Sequence, residues 1–163
     1  MKISRMRWGQ VCVALCAPLA AVAATKTTTF TVTATVINEC TIGAAALTFA
    51  QNLGIIDTNV DATSTITLTC TSGTNYQIGL DAGTGLDSTI TNRQLSSGTT
   101  NKLAYQLYRD PTRMALWGNA TPDWATGTGT GSAQTLTVYG RIPPQSTPPQ
   151  GTYTSVVTVT INY

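Results

Sequence analysis

Few of the residues that commonly perform chemistry are present in this chain. It contains no histidine, which removes the commonest general base and the commonest metal ligand. Asp81 and Asp87 flank a glycine-rich turn, and two such carboxylates could support sugar hydrolysis or hold calcium. Aspartates at turns more often bond to nearby backbone and shape the turn. We therefore expect no enzyme active site, no metal and no other cofactor.

Two further patterns could bind a ligand without catalysis. The run TGTGTGS at 126–132 looks like a phosphate loop, but it lacks the Lys-Ser/Thr pair and opens no helix, so it predicts a flexible surface loop. Trp117 and Trp124, with Tyr105 and Tyr108 nearby, could form an aromatic platform for a sugar or a surface. The apolar run before Trp117 favours packing in a core or loop instead. A secreted monomeric carbohydrate- or surface-binding module is thus one functional alternative.

The first 23 residues have the three parts of a secretory signal peptide. Lys2, Arg5 and Arg7 precede an apolar stretch, and Ala21-Val22-Ala23 matches an A-x-A cleavage site. The apolar stretch is too short to span a membrane. The chain is therefore predicted to be exported, with a mature part that begins near Ala24.

Removing this leader leaves two of the four cysteines, Cys40 and Cys70. In an exported chain, two such thiols are expected to form one disulfide. Closing a loop of about thirty residues should stabilise the fold by roughly 3–4 kcal/mol.

The charge of the mature chain excludes some partners. It carries six basic and seven acidic residues, which leaves a net charge of −1. No basic run remains, so neither nucleic acid nor an anionic membrane surface is an expected partner.

Alternating apolar and polar residues recur through the rest of the chain, separated by clusters of Gly, Asn, Asp and Pro, as is typical of strands and turns. These segments are 44–50, 64–70, 75–81, 102–110, 133–142 and 151–163. With a first strand near Cys40 that 44–50 continues, they predict six strands of an immunoglobulin-like sandwich that normally has seven. The sixth ends with the chain at Tyr163. We therefore predict an all-β, incomplete immunoglobulin-like β-sandwich that lacks its last strand and exposes a hydrophobic groove.

A spare strand pattern precedes this sandwich. In TKTTTFTVTATV, residues 25–36, Phe30, Val32, Ala34 and Val36 alternate with threonines. Inserted into the groove of a neighbouring molecule, these four side chains would complete its sandwich by strand addition. The segment could equally extend the first strand, at Ile37–Cys40, within its own sheet. The pattern alone does not separate the two alternatives.

Four stretches resemble a known family. They are LTCTSGTNYQIGLDAGTG at 68–85, LAYQLYRDPTRMALWGN at 103–119, LTVYGRIPPQ at 136–145 and GTYTSVVTVTINY at 151–163. In these stretches the chain resembles the spore coat protein U family, which includes subunits of archaic chaperone–usher pili of the Csu type. Pro111 and Ser155 depart from the residues common in that family.

The resemblance implies a sandwich completed in trans by a donor strand, and it places the family's disulfide on Cys40 and Cys70. It divides the chain into a signal peptide at 1–23, a donor strand at 24–36 and a sandwich domain at 37–163. The implied partners are identical or related pilin subunits, a periplasmic chaperone and an outer-membrane usher, with no membrane span. We expect a structural pilus subunit, exported through the periplasm to the cell surface, that polymerises by donor-strand exchange for attachment or biofilm. A coat protein is a further alternative.

Overall fold

A computed structural model describes residues 23–163. The predicted signal peptide lies outside the described residues, apart from Ala23. Among the described residues there is no helix that could cross a membrane.

Eight strands form the domain. They are β1 (Cys40–Ala44), β2 (Val60–Cys70), β3 (Asn75–Leu80), β4 (Arg93–Ser97), β5 (Asn101–Tyr108), β6 (Ala125–Thr128), β7 (Gln134–Ile142) and β8 (Val159–Asn162). A five-stranded sheet has the order β1-β2-β7-β5-β4, and a three-stranded sheet has the order β6-β3-β8. Every pairing is antiparallel. The prediction of an all-β sandwich is confirmed.

The core lies between the two sheets and follows the period-two pattern of the sequence. On each long strand the apolar residues of one face are buried, while the threonines between them are mostly exposed or half-buried, because successive side chains of a strand point to opposite faces. The central buried side chains are Ile66 and Leu68 on β2, Tyr76, Ile78 and Leu80 on β3, Leu103, Tyr105 and Leu107 on β5, and Val138 and Ile142 on β7.

Cys40 and Cys70 are joined by a disulfide. The two residues lie directly opposite each other in the pairing of β1 with β2. The bond therefore fixes the start of β1 to the end of β2, next to the turn that leads into β3.

The predicted count of six strands is wrong. β4 and β6 lie at 93–97 and 125–128, outside the six predicted strands, and the TGT part of TGTGTGS, which was predicted to be a flexible loop, belongs to β6. The first strand begins at Cys40 rather than at Ile37. The segment 45–50 does not continue this strand, because its last ladder-like hydrogen bond is the one that the Ala45 amide donates to the Thr65 carbonyl (2.9 Å). Of the predicted last strand, only 159–162 pairs in a regular sheet.

Residues 23–35 form a separate unit. This segment contains no strand, and each of its residues is exposed. The side chains of Phe30 and Val32 are 87% and 82% exposed.

Candidate functional site

An open cleft of about 1060 Å³ lies between the two sheets. One wall is the irregular segment 44–53 after β1, and the other is 151–159, which leads into β8. The floor is apolar and consists of core side chains from both sheets, among them Ile66, Leu80 and Leu103. Side chains of both walls, such as Leu47 and Val157, are only partly buried. The sandwich is therefore open along one side of its hydrophobic core.

The wall at 153–158 has one free edge. Its even-numbered residues form hydrogen bonds on the side away from the cleft. These bonds join the backbone of Thr154 to that of Ser96, the backbone of Val156 to Thr84, and the backbone of Thr158 to Asp81. Among residues 23–163, the backbone groups of Ser155 and Val157 have no hydrogen bond. Because successive N–H and C=O pairs of a strand point to opposite edges, these free groups face the cleft.

Arg93 supports this wall from behind. Its side chain is fully buried at 0% exposure, and burial lowers the pKa of its guanidinium. The guanidinium donates to the carbonyl oxygens of Leu80 (3.0 Å), Asp81 (2.8 Å) and Trp117 (2.7 Å). It also donates to the Ile90 carbonyl (3.3 Å). Arg93 thereby joins three segments that are distant in the sequence.

Asp81 transmits this support to the wall. Its Oδ1 accepts hydrogen bonds from the amides of Gly83 and Thr158, each at 2.9 Å. Asp87 pairs instead with Lys102. The two aspartates thus have separate structural partners, and among the described residues no group of three or more acidic, Cys or His side chains could hold a metal ion.

The aromatic platform considered from the sequence is not formed. Trp117 is buried in the core, and its Nε1 donates to the Ile78 carbonyl at 2.9 Å. Tyr105 is also buried and lines the cleft, whereas Tyr108 and Trp124 are only half-buried. The four rings therefore do not share one exposed face.

The residues that join the N-terminal segment to β1 are held by the β2–β3 turn. The Thr71 hydroxyl donates to the Ile37 carbonyl (3.0 Å), and the Thr71 amide donates to the Glu39 carbonyl (2.9 Å). The Thr74 hydroxyl donates to the Asn38 side-chain oxygen (3.1 Å). Because these bonds lie beside the Cys40–Cys70 disulfide, the exit point of the segment is fixed to the domain.

The predicted donor residues Phe30, Val32, Ala34 and Val36 all lie in the exposed stretch before β1, outside any strand. Arg93 was not predicted as a site residue, and Leu47 and Phe49 were predicted only as part of an alternating segment and not as part of a site. The alternation in AAALTFA at 44–50 was a signal for Leu47 and Phe49, since both fall on its apolar face. Nothing local distinguishes Arg93 from a surface arginine, because its partners come from other parts of the chain.

Two antiparallel sheets around a core that is open beside an unpaired strand define an incomplete immunoglobulin-like β-sandwich. The model of the Spore Coat Protein U domain matches residues 26–160. The chain belongs to this family. It is 30% identical over 155 residues to Protein U of Myxococcus xanthus, with 86% of this chain and 87% of that protein covered.

The fold is also similar to a solved structure. A chain of the CsuC–CsuE chaperone–tip adhesion subunit pre-assembly complex, from the archaic chaperone–usher Csu pili of Acinetobacter baumannii, aligns with a TM-score of 0.60 at 20% identity. The alignment covers 79% of this chain and 41% of that chain. This likeness concerns the fold of the domain.

Proposed function

We propose that the protein is a structural subunit of a chaperone–usher pilus, exported to the cell surface, which polymerises when the N-terminal segment of one copy enters the cleft of the next. The observation that carries this proposal is the open apolar cleft beside the unpaired backbone of Ser155 and Val157. A segment with alternating apolar residues and free backbone groups would supply the apolar side chains that cover the cleft and the hydrogen bonds that its free edge lacks.

The segment and the cleft agree in length. Phe30 to Val36 spans six residue steps, and so does the wall from Tyr153 to Val159. Six steps of extended chain cover about 20 Å. Burying Phe30, Val32 and Val36 would contribute about 5–8 kcal/mol, since each large side chain contributes about 1.5–3 kcal/mol. The threonines between them would face outward, where they favour strand and stay solvated.

The direction of insertion follows from the ends of the cleft. Tyr163 lies beside Glu39, where its hydroxyl is 3.5 Å from the carboxylate, so the last strand ends near the start of β1. A donor antiparallel to that strand leaves the cleft at the Tyr153 end. The donor's own domain, whose first strand begins at Cys40, then lies beyond that end. Repetition of this head-to-tail contact gives an open fibre rather than a closed dimer.

The open cleft also defines the partners. An apolar groove beside a free strand edge would aggregate during export. A periplasmic chaperone that occupies the cleft, and an outer-membrane usher that exchanges it for the next subunit, would prevent this. The family and the fold fit such a structural role and not an enzymatic one. The biological use of the fibre, in attachment, biofilm or a coat, depends on the producing cell.

Charged substitutions in the N-terminal segment test the proposal. Phe30→Asp with Val32→Asp should abolish fibres and leave the complex with the chaperone intact, because the charges would enter the neighbour's apolar cleft. The matched control is Thr29→Asp with Thr31→Asp, which places the same charges on the outward face and should still form fibres. Sheared fibres are measured by electron microscopy, and the chaperone complex by affinity purification. Normal fibre yield from the Phe30 and Val32 double variant would reject donor insertion.

A further inference from the structure

Phe49, Tyr105 and Ser155 form a row of neighbouring side chains that runs from one wall of the cleft, over its floor, to the other wall. Phe49 from one wall packs edge-on against Tyr105 of the floor, with ring centroids 6.3 Å apart. The Ser155 side chain comes from the opposite wall. A Cβ built on Gly83 would overlap the Ser155 hydroxyl oxygen and lie 3.2 Å from the Tyr105 hydroxyl, so these two polar atoms lie close to the same glycine. We name Phe49, Tyr105 and Ser155 the constriction.

The constriction brings two hydroxyl groups to the apolar floor of the cleft. The hydroxyls of Tyr105 and Ser155 are both buried, and neither has a hydrogen-bond partner among the described residues. Tyr105 as a whole is only 4% exposed, and burial raises the pKa of its hydroxyl. A bulky apolar side chain placed here would press against the two aromatic rings and against two buried hydroxyls that it cannot pair with, which is unfavourable.

We propose that the constriction accepts only Ala34 of the incoming segment and thereby fixes the register of insertion. Ala34 is the one donor residue whose side chain ends at Cβ, whereas its inward-facing neighbours Val32 and Val36 are branched. This inference rests on the proposed function. Beyond that function, the inference states which residue of the donor segment lies opposite which residue of the acceptor cleft.

The register is then defined along the whole cleft. Ala34 lies opposite Ser155 and completes the backbone pairing that Ser155 lacks. The other inward-facing pairs are Val36 with Tyr153, Val32 with Val157, and Phe30 with Val159. A slip by two residues would force Val32 or Val36 into the constriction. A slip by one would turn the threonines inward, because the side-chain period of a strand is two.

Disulfide cross-linking between copies tests this register directly. In antiparallel pairing Thr33 lies opposite Val156, whose side chain points outward and is exposed. The backbone of Val156 bonds on the far side, so this is a non-hydrogen-bonded pair with Cα atoms about 4.5 Å apart, within the range for a disulfide. Thr33→Cys with Val156→Cys should give fibres that keep a ladder of covalent oligomers on boiling without reductant. Reductant should collapse the ladder to monomer.

The matched controls use the two neighbouring outward threonines. Thr31→Cys or Thr35→Cys, each with Val156→Cys, lies two residues out of register, where the Cα atoms would be roughly 8 Å apart, beyond disulfide reach. Fibres that cross-link through Thr31 or Thr35 but not Thr33 would overturn the register and leave donor insertion standing. Fibres that cross-link through none of the three would overturn both proposals, as would the absence of fibres from the unsubstituted chain.

A second experiment tests the constriction itself. Ala34→Leu should lower fibre yield by about tenfold or more because it overpacks the constriction, whereas Thr33→Leu, on the outward face, should not. Adding Phe49→Ala to the Ala34→Leu chain should restore fibres by removing one ring. Full fibre yield from Ala34→Leu alone, or failure of Phe49→Ala to restore it, would overturn the assignment of Ala34 to this point.

Discussion

Replacing Arg93 by methionine should strongly destabilise the domain without changing any residue that lines the cleft. Methionine has a comparable apolar stem but no donors. The carbonyl oxygens of Leu80, Asp81 and Trp117, which accept from the guanidinium at 2.7–3.0 Å, would lose that donor inside the core. The backbone of Asp81 would no longer be held by the guanidinium. This should loosen the cleft wall, because the Asp81 carboxylate accepts a hydrogen bond from the Thr158 amide.

The magnitude follows from these contacts. Leaving a buried acceptor without its donor costs about 1–3 kcal/mol, and water entering the gap recovers part of it. For three carbonyls, the free energy of unfolding should fall by roughly 3–5 kcal/mol. Domains of this kind are stable by only about 5–15 kcal/mol. The substitution should therefore remove a large part of the stability of the domain and lower the yield of exported protein.

Urea unfolding of the purified chain, followed by tryptophan fluorescence in a Trp124→Phe background so that Trp117 is the reporter, measures this effect. Trp117 is 1% exposed, so its emission should shift to longer wavelength on unfolding. At about 1–3 kcal/mol per molar urea, the midpoint should fall by about 2 M. Arg109→Met is the control, because Arg109 donates to carbonyls at the exposed surface, and its midpoint should move little. Equal midpoints for the two variants would refute the role assigned to Arg93.

Three further predictions concern the stability of the domain. Gly85→Ala should lower the melting temperature and disorder the loop behind the cleft wall, since a Cβ there would overlap a backbone carbonyl of β4; an unchanged melting temperature would contradict this. Joint replacement of Cys40 and Cys70 by alanine should reduce the free energy of unfolding in urea by about 3 kcal/mol relative to the oxidised chain. The unsubstituted chain under reducing conditions is the control and should lose a similar amount; an unchanged free energy in the double variant would contradict this. The Thr112 hydroxyl and backbone amides lower the pKa of Asp110 to about 2, so its contribution to stability is present above the unfolded pKa near 4 and is lost as pH falls towards 2. Melting temperature should fall less between pH 4 and pH 2 in Asp110→Asn, and parallel curves would refute that contribution.

The sequence predicted the parts of the fold that depend on local alternation. The strands around 64–70, 75–80, 102–108 and 134–142 form where the period-two pattern is continuous, because one face of each is buried. β6 was missed because a Thr-Gly sequence has no apolar face of its own and becomes a strand by pairing with β3. The segments 44–50 and 151–158 show the apolar–polar alternation but form few strand-to-strand hydrogen bonds, because the edges that they present to the cleft have no partner strand.

The residues of the candidate site also divide into those that local alternation predicts and those that depend on the tertiary fold. Apolar lining residues such as Leu47 and Val157 fall on predicted faces, and the alternation in the N-terminal segment is visible without a structure. Arg93 could not be found, because a buried arginine depends on carbonyl groups brought together by the tertiary fold. The constriction could not be found either, since Phe49, Tyr105 and Ser155 belong to three separate segments.

If the proposed insertion occurs, the hydrogen bonds at 37–39 account for its taking place between copies. For antiparallel insertion into the same copy, Val36 would have to lie beside Tyr153, about 20 Å along the wall from Val159 and farther still from Tyr163. Cys40 lies near the Tyr163 end, and the few residues between Val36 and Cys40 span at most about 13 Å. Parallel insertion would need a reversal at 37–39, where Thr71 holds the carbonyls of Ile37 and Glu39. The same bonds that fix the exit point therefore favour the cleft of another copy.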